Sequence, residues 1–467
     1  MTPTPLPFPI PREPAGPRIR VLCLSTFAFT VMFAVWLMLG VLGLKIKTDT
    51  SLMLGDMATT MTADEIKAAC ESRFEWLLAA AILSGSLLRL NFGIWTDRFG
   101  GRNMLVLLML ITAVPTYWLA HVSSFTELMI CAALFGLAGN SFSIGIAWNS
   151  AWFPSHQKGT ALGVFGAGNV GASGTKLLVV LVPTVLTMVP PAGYLGGLIP
   201  GGWRVVPVCY SILLVLTAIA VLIVCPKLDR RPGKGRPLSE MLAPISHVRV
   251  WRLSLYYVVV FGAYVALSAW LPSYYVTTYG LSLRDAAIMT ALFIFPASLL
   301  RPLGGWLSDV YGPRGVTISV FILMSLAIVP LCLPSSILNL SPGAFTILMC
   351  VVGVGMGIGK ASVYKYIPNY FPNDVGAVGG LVGLFGALGG FILPKLFGWL
   401  GRATGFPQAA FLALLAITLV SLVWLLMVVA QLKRVVASGQ VEASSTIDRR
   451  DAVVGKVVTA SPASSSV

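Results

Sequence analysis

Two arginines lie inside stretches that are otherwise apolar. Arg89 falls in GSLLRLNFGIWTDRFGGR (85–102) and Arg301 in ASLLRPLGGWLSDVYGPR (297–314). One constant offset relates Arg301 to Arg89, Gly305 to Gly93, Asp309 to Asp97 and Arg314 to Arg102, so the chain carries two related halves. Arginine in hydrocarbon costs from ~3 kcal/mol on insertion scales to over ~10 in simulations, so it is retained there for a reason. Arg89 comes between Glu75 and Asp97 in the chain. At the α-helical rise this puts it about 21 Å from the Glu75 end of the predicted helix and about 12 Å from the Asp97 end. Each arginine could snorkel or pair with an acid of its own half. Against that, no Asp or Glu falls near the middle of a predicted helix: Glu75, Glu127 and Asp285 sit at outer ends, and Asp97, Asp309 and Asp374 in inner turns. Two guanidiniums without a buried counter-ion call for a mobile anion or a water-filled cavity. Their planar, permanently charged fork suits a small planar oxyanion.

Two glycine-rich segments are duplicated along with the arginines. Residues 136–176 and 353–395 both run through glycines, an aromatic-Phe-Pro turn (Trp152-Phe153-Pro154 and Tyr370-Phe371-Pro372) and further glycines. The first holds Gly163, Gly166, Gly168 and Gly171, the second Gly379, Gly383 and Gly386. Glycines three and four positions apart let helix backbones approach closely. Tight packing alone would explain one such segment. Duplication in step with the arginines predicts smooth faces between helices 4 and 5 and between helices 10 and 11, on which two halves rock. Asn169 is polar inside the first face, suited equally to an interhelix bond or to a substrate. Among four lysines in or near helices, Lys176 and Lys395 read as snorkelling to an interface. Lys360 falls midway down helix 10, and Lys365 about one turn further on.

The elements that position these residues follow from hydropathy. With 57% hydrophobic and 10% charged residues and a mean hydropathy of +0.86, the chain is not a soluble globular protein. A hydrocarbon core needs about 20 apolar residues per helix, and about twelve such stretches are present. The expected fold is an all-α membrane protein, with twelve transmembrane helices in two pseudo-symmetric six-helix bundles. Helix 1 is expected at 21–44 and the Arg89 helix from about Trp76. The expected organisation is a proline-rich disordered segment (1–17), an N-terminal bundle (18–225), a basic linker (226–252), a C-terminal bundle (253–432) and a disordered tail (433–467). Lys and Arg concentrate in the N-terminal flank, the linker and Lys433-Arg434, which predicts a multi-pass cell (inner) membrane protein with both termini cytoplasmic. The net charge of +15 is thus read as membrane orientation and helix-borne cations, with no nucleic-acid partner. Seven scattered cysteines without a CxxC read as apolar packing residues, so neither metal nor cofactor is expected. His121, His156 and His247 fall in loops or helix edges and form no acid–base set, so the chain is not expected to be an enzyme.

The turn Gly93-x3-Asp97-Arg98-x-Gly100-x-Arg102, with its copy Gly305–Arg314, resembles the loop motif of the major facilitator superfamily. The two glycine segments together with both arginines resemble the paired signatures of its nitrate/nitrite porter family, over about residues 20–430. The resemblance implies an alternating-access transporter in which Arg89 and Arg301 grip nitrate, Asn169, Tyr257 and Phe142 line the site, and the loop-motif residues and signature glycines gate it. It also implies nitrate and possibly nitrite and H+ as cargo, lipid as surroundings and a monomer. Lys360, deep and titratable, is the first candidate to carry a coupled proton, with Glu75 second. Proton symport is preferred slightly over nitrate/nitrite antiport. A nitrate sensor without transport is a rival of another class, and a porter of organophosphate or another anion is a rival within transporters.

Overall fold

The computed structural model describes residues 15–171, 190, 193–334, 336–406 and 408–437. The expectations for Lys176, for the outer part of helix 5 and for most of both termini lie outside the described residues. The described secondary structure is helical, and eleven helices are long and apolar enough to cross a membrane. These are α1 (Ala15–Trp36), α2 (Ala63–Phe99), α3 (Gly101–His121), α4 (Phe125–Trp152), α6 (Gly202–Val224), α7 (Val248–Tyr279), α8 (Arg284–Val310), α9 (Pro313–Leu331), α10 (Pro342–Tyr370), α11 (Val375–Thr404) and α12 (Ala409–Arg434). The twelfth position is taken by α5 (Lys158–Ala167), which runs up to residues that are not described. Large apolar side chains such as Val114, Ile223 and Leu326 point outward, as a lipid-facing surface requires.

Two boundaries differ from the sequence expectation. Helix α2 begins at Ala63, well before Trp76, because Thr62 and Glu65 form a reciprocal capping box that starts the helix in polar sequence. Its charged first turns, through Glu75, precede the apolar run. Helix α1 ends at Trp36, and the chain resumes as a separate short helix, Leu39–Ile46.

Both arginine helices bend at the same place. Leu88 (φ −89°, ψ 4°) and Leu300 (φ −83°, ψ 4°) leave helical geometry one residue before Arg89 and Arg301. Beyond each bend the helix packs on the opposite half: α2 on α11, and α8 on α5. Backbones touch along both crossings. Gly93 faces Gly376, and Gly159 faces Gly305, each against the other's carbonyl. A Cβ on Gly380 would lie 2.5 Å from the Arg89 carbonyl oxygen, and Gly163 stands in the matching place against the Arg301 carbonyl. Gly159, Gly163, Gly376 and Gly380 of the two glycine-rich segments therefore smooth the contact between halves. Of the faces expected between helices 4 and 5 and helices 10 and 11, Gly145 meets Phe165 and Gly379 and Gly383 meet Tyr364, while the closest backbone approaches lie between the halves.

Replacing Gly380 by Val should keep the protein inserted while disfavouring this contact by about 1–3 kcal/mol, a roughly 5- to 150-fold shift. Maleimide labelling of an Ala377→Cys reporter, fully buried at this contact beside Ile94 and Met241, should become correspondingly faster above the native cysteines. An unchanged labelling rate would refute the steric reading.

Candidate functional site

The two arginines meet the same ring. The guanidinium carbons of Arg89 and Arg301 lie 5.6 Å and 5.4 Å from the Phe142 ring centroid, and both side chains are 1% exposed. Arg89 Nε donates to the Gly85 carbonyl (3.0 Å) and Nη1 to the Gly383 carbonyl (2.9 Å). Arg301 Nη1 donates to the Gly166 carbonyl (3.0 Å) and Nη2 to the Tyr257 hydroxyl (3.2 Å). Each arginine thus reaches across to a glycine of the opposite half, and those two glycines occupy equivalent places in the repeat. Among the described residues no carboxylate touches either guanidinium. Carbonyls and rings satisfy donors without cancelling charge, so the centre keeps its two positive charges.

Aromatic rings close the floor around them. Phe142 stacks on Tyr257 (6.2 Å) and Phe261 (6.4 Å), and Tyr364 meets Phe142 and Tyr257 edge-on (5.0 and 4.6 Å). Trp36 places its ring 5.2 Å from the Arg89 guanidinium. A π-helical turn at Val258–Gly262 widens α7 just after Tyr257 and helps to present Phe261. Asn169 is 1% exposed, and neither its side-chain oxygen nor its nitrogen has a partner. A buried amide left without a partner is costly. Phe261, Tyr364 and Trp36 were not singled out in the sequence, because an aromatic in an apolar helix carries no signal apart from its neighbours.

Lys360 completes the cluster. It is 0% exposed, its Nζ lies 3.1 Å from the Tyr264 ring centroid, and it donates to the Ala297 carbonyl at 3.0 Å. Ala297 precedes Arg301 by one helical turn, as Gly85 precedes Arg89. The carbonyl that Arg301 Nε would use by analogy is therefore occupied by Lys360, and Arg301 Nε is buried without a partner. Glu75 is exposed, far along α2 from this cluster.

At the end nearest the 226–247 linker, the halves are tied twice by carboxylates set against helix starts. The Gly376 amide donates to Asp97 Oδ2 at 2.9 Å. The Gly159 and Thr160 amides donate to Asp309 at 2.9 and 2.6 Å. Among the described residues, the second tie carries a directly bonded cation and the first does not: Lys365 Nζ is 2.5 Å from Asp309 Oδ1, both side chains being 5% exposed. Lys365 also donates to the Ser155 carbonyl. A third tie joins Arg236 Nη1 to Asp374 Oδ1 (2.7 Å), and this bond raises the Arg236 guanidinium above its ordinary value.

The remaining motif residues are divided. Arg98 is exposed beside Phe99. Arg102 Nη2 donates to the Leu222 carbonyl (2.6 Å), and Arg314 Nη2 to the Tyr370 hydroxyl (3.3 Å). Gly168 and Gly171 pack on α1, near Phe29 and Thr30. Gly166 meets the Arg301 guanidinium, Gly379 meets Ile146, Gly383 meets the Tyr364 hydroxyl, and Gly386 meets the Tyr257 ring. Lys395 is exposed over the Phe391 ring.

Helices from two repeated halves, crossing around a cationic, aromatic centre, define a membrane transporter. The family model of the Major Facilitator Superfamily matches residues 21–394 and again 278–462. The "Probable nitrate/nitrite antiporter NarK1" of Thermus thermophilus is 52% identical over 89% of this chain and 92% of its own length. The "Nitrite extrusion protein" of Bacillus subtilis is 30% identical over 86% of this chain and 92% of its own. The human organic anion transporter MFSD10 shares the fold, with a TM-score of 0.65 at 14% identity over 88% of this chain and 99% of that one. The chain belongs to the nitrate/nitrite porter family of the major facilitator superfamily. It is a transporter, not an enzyme.

The two carboxylate ties should respond unequally to neutralisation. Asp309→Asn strands the buried Lys365 ammonium, at about 3–5 kcal/mol. Asp97→Asn weakens hydrogen bonds to backbone amides, at about 1–3 kcal/mol. Thermal unfolding of the purified variants should show the larger fall in Tm for Asp309→Asn. Equal falls would mean that Lys365 adds nothing to its tie.

Proposed function

We propose that the protein carries nitrate across the cell membrane by alternating access, with Arg89 and Arg301 gripping the anion from the two halves. The observation that carries this reading is the pair of buried guanidiniums on one aromatic floor, bonded to carbonyls and a hydroxyl. Phe142 and Tyr257 line the pocket, and Asn169 contributes its unpartnered amide. Two cations in a low-dielectric site repel, and a bound anion relieves that repulsion so that the halves can close over it. The Lys/Arg bias of the linker supports a cytoplasmic linker end. The Asp97, Asp309 and Arg236 ties would then shut the cytoplasmic side, and they must break for release.

For coupling, proton symport through Lys360 is the preferred reading. A symporter must return without nitrate, and two unneutralised arginines oppose that step. Loss of a proton from Lys360 to water removes one positive charge from the cluster. It also weakens the hold of Nζ on the Ala297 carbonyl, leaving that acceptor to Arg301 Nε, as Gly85 serves Arg89. The name carried by the Thermus thermophilus relative favours a second reading, nitrate/nitrite antiport.

Arg89→Lys and Arg301→Lys should each weaken nitrate binding roughly 10- to 150-fold, the value of about 1.5–3 kcal/mol for a charge-assisted hydrogen bond. Isothermal calorimetry on purified protein measures this, and unchanged affinity in both variants would remove the site. Proteoliposomes with an imposed pH gradient decide the coupling. Uptake with neither anion inside means symport, and uptake only with internal nitrite means antiport. Lys360→Gln should abolish proton-driven uptake while nitrate still binds. If gradient-driven uptake survives in that variant, Lys360 is not the proton carrier.

A further inference from the structure

We propose that linker residues 233–242 form a strap that locks the α2–α11 crossing shut, and that the strap must leave its seat before the cytoplasmic side can open. The inference rests on the alternating-access reading and adds a moving part to it. Three contacts lay the strap across both halves. The Gly233 amide donates to the Asp97 carbonyl near the end of α2 (3.0 Å). Arg236 Nη1 donates to Asp374 Oδ1 (2.7 Å) and to the Asn373 carbonyl (3.2 Å), at the turn into α11. Met241, from the short helix Leu238–Leu242, is 0% exposed and packs with Ile94 of α2 and Ala377 of α11.

Met241 is the wedge of this seat. Ile94 and Ala377 belong to different halves, so the methionine side chain is enclosed by both only while the halves are together. Leu90 and Leu242 flank the same cluster. Gly233 lets the strap lie close: a Cβ there would stand 2.5 Å from the Met241 methyl and 3.2 Å from Asp97 Cβ. Withdrawal of Met241 exposes apolar surface on the strap and on both helices, which favours the seated state.

The strap cannot follow both halves as they part. Just before it, Asp229 is held by the indole N–H groups of Trp148 (2.9 Å) and Trp152 (3.0 Å) and by the Arg102 amide (2.9 Å), all from the N-terminal half. Beyond it, the chain runs into α7 of the C-terminal half. Gly233 and Arg236 are three residues apart, a backbone reach of about 10 Å at full extension. Opening beyond that span and one arginine side chain breaks one bond or the other and draws Met241 from its seat. Glu240 lies 3.6 Å from Arg236 Nε and can keep the guanidinium when Asp374 withdraws. The other crossing, α8 on α5, is fastened instead by Lys365 on Asp309. The difference has a topological source: the chain passes between the halves once, so the repeat supplies no second strap.

The test is maleimide labelling of an Ile146→Cys reporter in the full-length protein, read above the native cysteines. Ile146, 1% exposed on α4, meets Gly379 of α11 across the halves and lies outside the Met241 cluster. Met241→Ala should speed labelling at this site about 10-fold or more, and Arg236→Gln up to about 5-fold. Met109→Ala, the same truncation in the core of the N-terminal half (0% exposed), should lower Tm without speeding labelling. Unchanged labelling in both strap variants, or an equal gain in Met109→Ala, would overturn the strap. Gly380→Val, placed directly in the contact, separates this inference from the reading beneath it. If Gly380→Val speeds labelling and the strap variants do not, the halves part there and the linker is no lock. If none of the three does, the halves do not part there, and the alternating-access reading falls as well.

Discussion

Everything in this molecule depends on how two guanidiniums are kept buried without being neutralised. A carboxylate beside either one would stabilise the fold and end its usefulness, because no charge would remain to attract a guest. The chain instead offers them main-chain oxygens and the Tyr257 hydroxyl, one carbonyl contributed by a glycine of the opposite half in each case. Those oxygens are within reach only because the helices cross at glycines, with no side chain between backbones. Gly163, Gly166, Gly380 and Gly383 and the two arginines are therefore one device.

The same device explains why the halves are fastened elsewhere by acids. At the linker end, Asp97 and Asp309 face the first amides of α11 and α5, so each tie draws on partial charges at a helix start. The ties are near-copies of one another, yet Lys365 makes one an ion pair. The repeat is thus broken at the linker end. It is broken again in the centre, where Lys360 takes the acceptor that symmetry would assign to Arg301.

Much of this was legible in the sequence, and for stated reasons. The constant offset between the two arginine stretches exposed the duplication. Hydropathy exposed the spans, because charge in hydrocarbon is rare enough to stand out. The structure brings Arg89, Arg301, Phe142 and Tyr257 to one place. What the glycines pack against was not legible. Spacing along a helix tells which residues share a face but not which helix that face meets, so the interface was first assigned within each half. The start of α2 was missed because hydropathy ignores a capping box in polar sequence. Tyr364 and Trp36 were invisible, since aromatic residues in an apolar helix become a site only through their neighbours in space.

The bends at Leu88 and Leu300 bear on movement. Each divides a long helix into a segment that packs within its own bundle and a segment clasped to the other, with the charged side chain at the joint. A rod articulated there can swing its outer arm while its inner arm stays seated. The aperture at the far end can then change width before the clasp is disturbed, and the arginine at the pivot is the group that feels both motions.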